Sequence, residues 1–175
     1  SPLDPAKRVC PSPAPFGRAS EGVLVVRGLG KTYGVTGWRL GYAAGPRTLI
    51  EEMNKLQQYT FVCAPSPLQH AMSAALDYDM REHIAAYRGR RDAVVERLGK
   101  VTEVVKPGGA FYAFPRVPEH LGLSDEQFIT MALERNVLVI PGSVFSRRGT
   151  HFRLSYAASQ RSLDGGLAVL AELMS

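Results

Sequence analysis

Three basic residues lie where the sequence around them does not predict a freely solvated charge: Lys31, Arg39 and Arg153. Lys31 follows Gly28 and Gly30. Because glycine lacks a Cβ, the backbone of such a loop can approach a ligand closely. Arg39 and Arg153 each interrupt an apolar stretch that predicts a strand, where a guanidinium requires a partner such as a carboxylate or a phosphate. These residue types therefore indicate a site for an anionic ligand beside a reactive amine.

For Arg153 a second interpretation stays open. It lies between Phe152 and Leu154, and an alternating strand of this kind can equally present its arginine to water. We interpret the aromatic residues of these segments as core or hairpin packing rather than cofactor stacking. They are Trp38, Tyr42, Phe111, Tyr112, Phe145 and Tyr156.

The run Gly30-Lys31-Thr32 also matches the end of the phosphate-binding loop of nucleotide hydrolases, but the rest of that motif is missing. Its first glycine should lie five residues before Gly30, where Val25 lies within a predicted strand. The spacing therefore excludes a phosphate loop of that type.

Composition and charge narrow the class of protein further. The chain has 175 residues, 45% of them hydrophobic, and a net charge of +5, which suits anionic small molecules but is too diffuse to indicate nucleic acid. Cys10 and Cys63 form no CxxC pair, and the four histidines are too far apart to predict a metal site. No apolar run approaches the ~20 residues that span a bilayer. We expect a soluble, cytoplasmic protein that binds no membrane.

Hydrophobic periodicity predicts the elements that position these residues. Helices are predicted over residues 47–58, 68–80, 81–99, 124–135 and 160–174, and strands over 22–26, 38–44, 101–105, 110–115, 137–140 and 150–157. The first strand is an uninterrupted apolar run, which is typical of a strand buried on both faces of a parallel sheet. The arginines of the 81–99 helix are expected to face solvent; they are Arg88, Arg90, Arg91 and Arg97. Residues 1–22 have no periodicity and predict a loop or linker.

Four segments, in this order, carry a family resemblance. Residues 28–42 read GLGKTYGVTGWRLGY, residues 106–112 read KPGGAFY, residues 139–145 read VIPGSVF and residues 152–156 read FRLSY. Together they resemble the fold type I pyridoxal-phosphate aminotransferases, in the class I and II branch that includes the aspartate and aromatic aminotransferases. The resemblance implies an α/β fold, with residues 23–80 forming the C-terminal part of the large cofactor-binding domain and residues 81–175 the small domain.

The resemblance also implies roles for the candidate residues. Lys31 would form the Schiff base with pyridoxal phosphate, Arg39 would bind the cofactor phosphate, and Arg153 would bind the substrate α-carboxylate. Gly28 and Gly30 stand where the family usually has serines, so backbone N–H groups are expected to contribute more to phosphate binding.

One further position stays open between two interpretations. Ser66 lies where family members often place a residue that reaches the phosphate of the neighbouring subunit, and it can equally be a turn or helix-cap residue.

The implied activity is the transfer of an amino group between an amino acid and a 2-oxo acid, in a homodimer of the full-length parent. The resemblance leaves two alternatives: another pyridoxal-phosphate reaction such as that of a β-lyase or decarboxylase, or a non-catalytic effector-binding module of a regulator. Full family members are roughly twice as long. This chain therefore resembles their C-terminal portion, and residues 1–175 alone are expected to be inactive.

Overall fold

The computed structural model describes residues 12–13 and 22–175, and these divide into two compact units after Met80. The loop or linker predicted for residues 1–22 lies almost wholly outside the described residues. The first unit contains the Lys31 loop and the second contains Arg153. We describe each by itself.

The first unit begins with an antiparallel strand pair. Strand β1 (Val25–Gly28) pairs with β2 (Gly41–Ala44), with Val25 opposite Ala44 and Gly28 opposite Gly41. Helix α1 (Arg47–Thr60) follows directly, and helix α2 (Ser66–Leu76) comes after a short turn. Both helices were predicted, and the structure confirms residues 47–58 and 68–76 as helical.

Among residues 22–175, β1 has only an antiparallel partner, so its burial in a parallel sheet stays a prediction for the whole protein. Strand β1 pairs antiparallel with β2, and Val26 is 67% exposed. The connection between the two strands holds only a short 3₁₀ turn at Thr36–Trp38. Because no helix crosses back over the sheet, the second strand returns beside the first in the opposite direction.

The second unit is an α+β layer. Helix α3 (Arg81–Leu98) precedes strand β3 (Tyr112–Ala113), helix α4 (Asp125–Glu134), strands β4 (Ile140–Pro141) and β5 (Phe152–Ser155), and helix α5 (Gln160–Leu173). The strands form one antiparallel sheet in the order β3-β5-β4. Helices α3 and α5 pack against each other, and the buried apolar cluster lies in this unit; its largest members are Tyr156, Phe128, Phe152, Leu98, Leu167 and Leu170.

The sequence predicts a helix in the α3 region and arginines that face solvent, and only the first of these predictions is fully confirmed. The helix itself is confirmed, but Arg91 is only 3% exposed and therefore does not face solvent. Its guanidinium pairs with Asp92 at 2.8 Å, and its Nη1 donates to the carbonyl of Pro107 at 3.3 Å. Arg91 is buried because its charge is paired and it holds the loop that leads into β3.

The strand predicted over residues 101–105 is absent from this part of the structure. The segment contacts its neighbour through isolated bonds: the hydroxyl of Thr102 donates to the carbonyl of Arg116 at 2.6 Å, and the N–H of Arg116 donates to Glu103 O at 3.0 Å. An apolar run of this length is compatible with a strand, but without a ladder partner it forms a turn.

Candidate functional site

Lys31 lies in the connection between β1 and β2. The N–H of Leu29 donates to the carbonyl of Leu40 at 3.0 Å, which continues the strand pairing into the start of the connection. Within it, the N–H of Tyr33 donates to Leu29 O at 3.4 Å. Lys31 is exposed at this turn, so the loop is anchored at its base while the lysine side chain is accessible.

The two glycines before the lysine have different surroundings. A Cβ on Gly30 would lie 3.0 Å from Thr36 Cα and 3.3 Å from Val35 O, whereas one on Gly28 would meet open space. The returning backbone therefore passes so close to Gly30 that a Cβ there would require it to shift by a few tenths of an ångström. Opposite Gly28, a Cβ on Gly41 would lie 2.5 Å from the carbonyl oxygen of Arg27, so the end of the strand pair also depends on a glycine.

Arg39 is not in a strand, which corrects the prediction. It ends the 3₁₀ turn Thr36–Trp38 with a φ of 53°, and β2 begins only at Gly41. Its side chain is exposed, and Nη1 donates to Thr36 O at 3.3 Å. A left-handed backbone at a non-glycine residue costs on the order of 1 kcal/mol and tends to persist at ligand sites. The lysine and this arginine thus belong to one connection.

Arg153 lies in β5 of the second unit, and its guanidinium contacts two aromatic rings. Its Cζ lies 4.5 Å from the ring centroid of Tyr112 and 4.6 Å from that of Phe145. Among residues 22–175, its guanidinium has no hydrogen bond or ion pair with another side chain or carbonyl. A cation–π contact of this kind leaves the guanidinium N–H groups available for a bidentate bond with a carboxylate.

Two local structures hold those rings. Tyr112 pairs with Ser155 in the β3–β5 ladder, and the hydroxyl of Tyr156 donates to Ala110 O at 3.2 Å. Phe145 directly follows the turn Gly142–Val144, where the N–H of Gly142 donates to His151 O at 2.8 Å. Both rings are therefore fixed from the sheet that carries Arg153.

The sequence interpretation of the aromatic residues as packing was incomplete. Tyr156 is fully buried, as expected, but Phe145 is 50% exposed and Tyr112 is 37% exposed. Their contact with Arg153 was not predicted. The sequence did contain a signal for this contact, because two of the four family motifs end in an aromatic residue. Phe145 ends VIPGSVF and Tyr112 ends KPGGAFY.

Ser66 is the first residue of α2, and Pro65 precedes the helix with no side-chain cap bond. The serine is exposed. The helix-cap interpretation of Ser66 is therefore wrong, because the capping position belongs to a proline.

Over the residues that the structure describes, no helix is both long and apolar enough to cross a membrane.

Comparisons with known proteins agree with the motifs. The sequence profile of the family described as aminotransferase class I and II matches residues 6–169. The aspartate aminotransferase of Pyrococcus abyssi is 38% identical over 152 residues, which are 82% of this chain and 39% of that protein. The aromatic-amino-acid aminotransferase 2 of Thermococcus litoralis is 36% identical over the same shares of the two chains.

Solved structures give the same result for the fold. The crystal structure of the aromatic aminotransferase from Pyrococcus horikoshii is 34% identical, with a TM-score of 0.82 over 90% of this chain and 44% of that one. The predicted α/β fold, part of the aminotransferase fold, is confirmed. This chain spans about two fifths of the length of the relatives it matches. With a family profile that covers nearly the whole chain, the protein belongs to the class I and II aminotransferases.

Proposed function

We propose that the whole protein is a pyridoxal-phosphate-dependent aminotransferase that moves an amino group between an amino acid and a 2-oxo acid. The observation that carries the proposal is the β1–β2 connection, which presents an exposed amine, Lys31, and an exposed guanidinium, Arg39, on one glycine-constrained loop. An aldehyde-bearing phosphate ester needs these two groups: an amine for the aldehyde and a cation for the phosphate.

The donor set fits this cofactor. Lys31 would hold it covalently and Arg39 would bind its phosphate, while Gly30 lets the loop backbone come close. Bound pyridoxal phosphate would supply an electron sink for the electrons left when the α-proton of an amino acid is removed.

Lys31 has a second task once an amino acid has replaced it at the cofactor. In that role its amine would act as a general base that takes the α-proton of the amino acid and as a general acid that passes this proton to the carbon that held the aldehyde group of the cofactor. A flexible four-carbon stem and an exposed position allow such movement.

Arg153 would bind the α-carboxylate of the substrate. Its N–H groups have no partner among residues 22–175, and its Cζ lies 4.5 Å and 4.6 Å from the ring centroids of Tyr112 and Phe145. A guanidinium held in this way needs little reorganisation to form a bidentate pair. The substrate class is therefore a carboxylate with an amino or oxo group beside it.

We also propose that the protein is a cytoplasmic homodimer. Cys63 is a free, exposed thiol, which suits a reducing compartment. Large apolar side chains at the end of α1 are exposed, among them Tyr59, Phe61 and Val62, and such surface favours association with another subunit.

The experiment compares the full-length protein with its Lys31→Ala and Lys55→Ala variants. Lys55 is the matched control because it is an exposed lysine that pairs with Glu52 on the surface of α1. With pyridoxal phosphate, several amino donors and an oxo acid, we expect the wild type and the Lys55 variant to form a new amino acid. The Lys31 variant should lose nearly all turnover and the absorbance of the bound cofactor.

The products separate the alternatives. Release of ammonia or carbon dioxide in place of a new amino acid would indicate a lyase or decarboxylase. Binding of the cofactor without any turnover would indicate a non-catalytic module, and full activity of the Lys31 variant would contradict the proposal.

A further inference from the structure

Asp125 is a buried carboxylate with no cationic partner among residues 22–175. It is the first residue of α4 and is 2% exposed. Its Oδ2 accepts the N–H of Ser143 at 2.7 Å, and its Oδ1 accepts the N–H of Glu126 at 3.0 Å. Burial raises the pKa of this carboxyl, but hydrogen bonds from Ser143 and Glu126 outweigh burial and leave the pKa below its ordinary value. Asp125 is therefore ionised at neutral pH.

Helix α4 does not need this carboxylate to begin. The N–H of Gln127 donates to Ser124 Oγ at 3.2 Å, and the N–H of Ser124 donates to Gln127 Oε1 at 2.9 Å. This capping box already satisfies the helix start. The hydrogen bond that Asp125 accepts from Ser143 thus has another consequence, because it connects α4 to the turn that contains Ser143.

That turn determines where Phe145 lies. The N–H of Phe145 donates to Gly142 O at 2.8 Å, so the phenylalanine directly continues the Gly142–Val144 turn. Since its side chain is half exposed, core packing alone does not fix the ring. The Cζ of Arg153 in turn lies 4.6 Å from the centroid of this ring, in a cation–π contact.

We propose that Asp125 is a positioning residue, which sets the orientation of the Arg153 guanidinium through the 142–144 turn and the ring of Phe145. Asp125 touches neither the guanidinium nor its ligand, and it acts by holding the N–H of Ser143. The proposal rests on the carboxylate-binding role proposed above for Arg153.

The test measures binding of propionate, a probe that carries only the carboxylate, to the full-length protein saturated with pyridoxal phosphate. An NMR titration gives the dissociation constant without turnover. We expect Asp125→Asn to raise it about tenfold, because a displaced binding group loses affinity on that scale. Glu126→Gln, an exposed neighbour on the same helix turn, is the matched control and should stay within about twofold.

A second variant moves the carboxylate without removing its charge. A Cβ on Gly149 would lie 2.7 Å from Asp125 Oδ1, so Gly149→Ala should displace the carboxylate and disturb its hydrogen bonds with Ser143 and Glu126. It should weaken propionate binding in the same direction, and it tests the proposal if Asp125→Asn does not fold.

A double-mutant cycle distinguishes positioning from general destabilisation. If Asp125 acts through Phe145, Asp125→Asn should change the propionate dissociation constant less than about twofold in a Phe145→Leu background. An equal effect with and without Phe145, or wild-type binding by the folded Asp125→Asn and Gly149→Ala variants, would overturn the proposal. Arg153→Leu reports separately on the proposed function: propionate binding that survives in this variant would overturn the role of Arg153 itself.

Discussion

Arg39 and Arg153 both carry a guanidinium, but their backbone conformations and side-chain surroundings differ. Arg39 stands on a left-handed backbone at the end of a 3₁₀ turn and is exposed. Arg153 extends from a regular strand, and its guanidinium contacts two rings. The first is suited to a ligand bound at a loop, and the second to a ligand that must be held in a fixed orientation. These local settings support a phosphate for Arg39 and a substrate carboxylate for Arg153.

Replacing Arg153 should separate the two ligands. In the full-length protein, Arg153→Leu would remove the proposed bidentate pair with the substrate carboxylate, and we expect amino- and oxo-acid binding to weaken by about 2–5 kcal/mol while cofactor affinity stays within a few-fold. Arg153→Lys is the charge control and should recover only part of the loss, because an ammonium cannot form the fork. Separate titrations of the cofactor and of a substrate measure this, and equal losses for both ligands would contradict the role.

At the scale of elements, helices could be predicted more closely than strands, since the predicted strands at 22–26, 38–44, 110–115, 137–140 and 150–157 overlap observed ones with different bounds, and the one at 101–105 is absent from this part of the structure. The apolar spacing in α1, α4 and α5 is local information, and the Ser124–Gln127 capping box marked the start of α4 in advance. Strand pairing depends on residues distant in sequence. The sequence predicted a strand over residues 101–105 that has no ladder partner, and it extended β2 back through Arg39.

The same difference between local and long-range information applies to the candidate site. Lys31, Arg39 and Arg153 could be named from residue types and motifs, and their roles stay predictions. The contact of two rings with Arg153 could not be predicted, because the β3–β5 pairing and the turn before Phe145 bring these rings there. The burial of Arg91 was missed for a similar reason, since its partner Pro107 lies outside its helix.

The loop between β1 and β2 offers a test at this scale. Gly30→Ala places a Cβ against the backbone at Thr36, whereas Gly28→Ala places one in open space. We expect Gly30→Ala to lower the affinity of the full-length protein for pyridoxal phosphate by about tenfold, because the loop must shift by a few tenths of an ångström to accommodate the methyl group. Gly28→Ala should bind nearly as well as the wild type.

A spectroscopic titration with the cofactor makes that comparison. If the two variants lost affinity equally, the close approach at Gly30 would not be what shapes the loop.

At the scale of the whole molecule, the two units differ in how well they bury their apolar residues. The buried cluster lies within residues 94–174. In the first unit, large side chains including Val26, Tyr42, Leu56 and Leu76 are exposed. The relatives that this chain matches are more than twice as long as the matched region, which fits a first unit that needs further structure to cover it.

This difference predicts how the units behave when separated. A polypeptide of residues 81–175 should be a monomer that unfolds cooperatively, because its core is closed. Residues 22–80 alone should associate or stay unfolded, since exposed apolar surface and the open edges of a two-stranded sheet favour aggregation. Light scattering and thermal melts measure both. Aggregation of the 81–175 polypeptide, or a stable monomer of 22–80, would contradict the division of the core.

The central claim is that Lys31 is the residue that holds the cofactor, and chemical trapping tests it most directly. The full-length protein is incubated with pyridoxal phosphate, reduced with borohydride to make the lysine–cofactor bond permanent, digested and analysed by mass spectrometry. We predict that the added cofactor mass lies on the peptide containing Lys31. Stoichiometric labelling of another lysine, such as Lys55 or Lys106, with Lys31 unmodified would contradict the account.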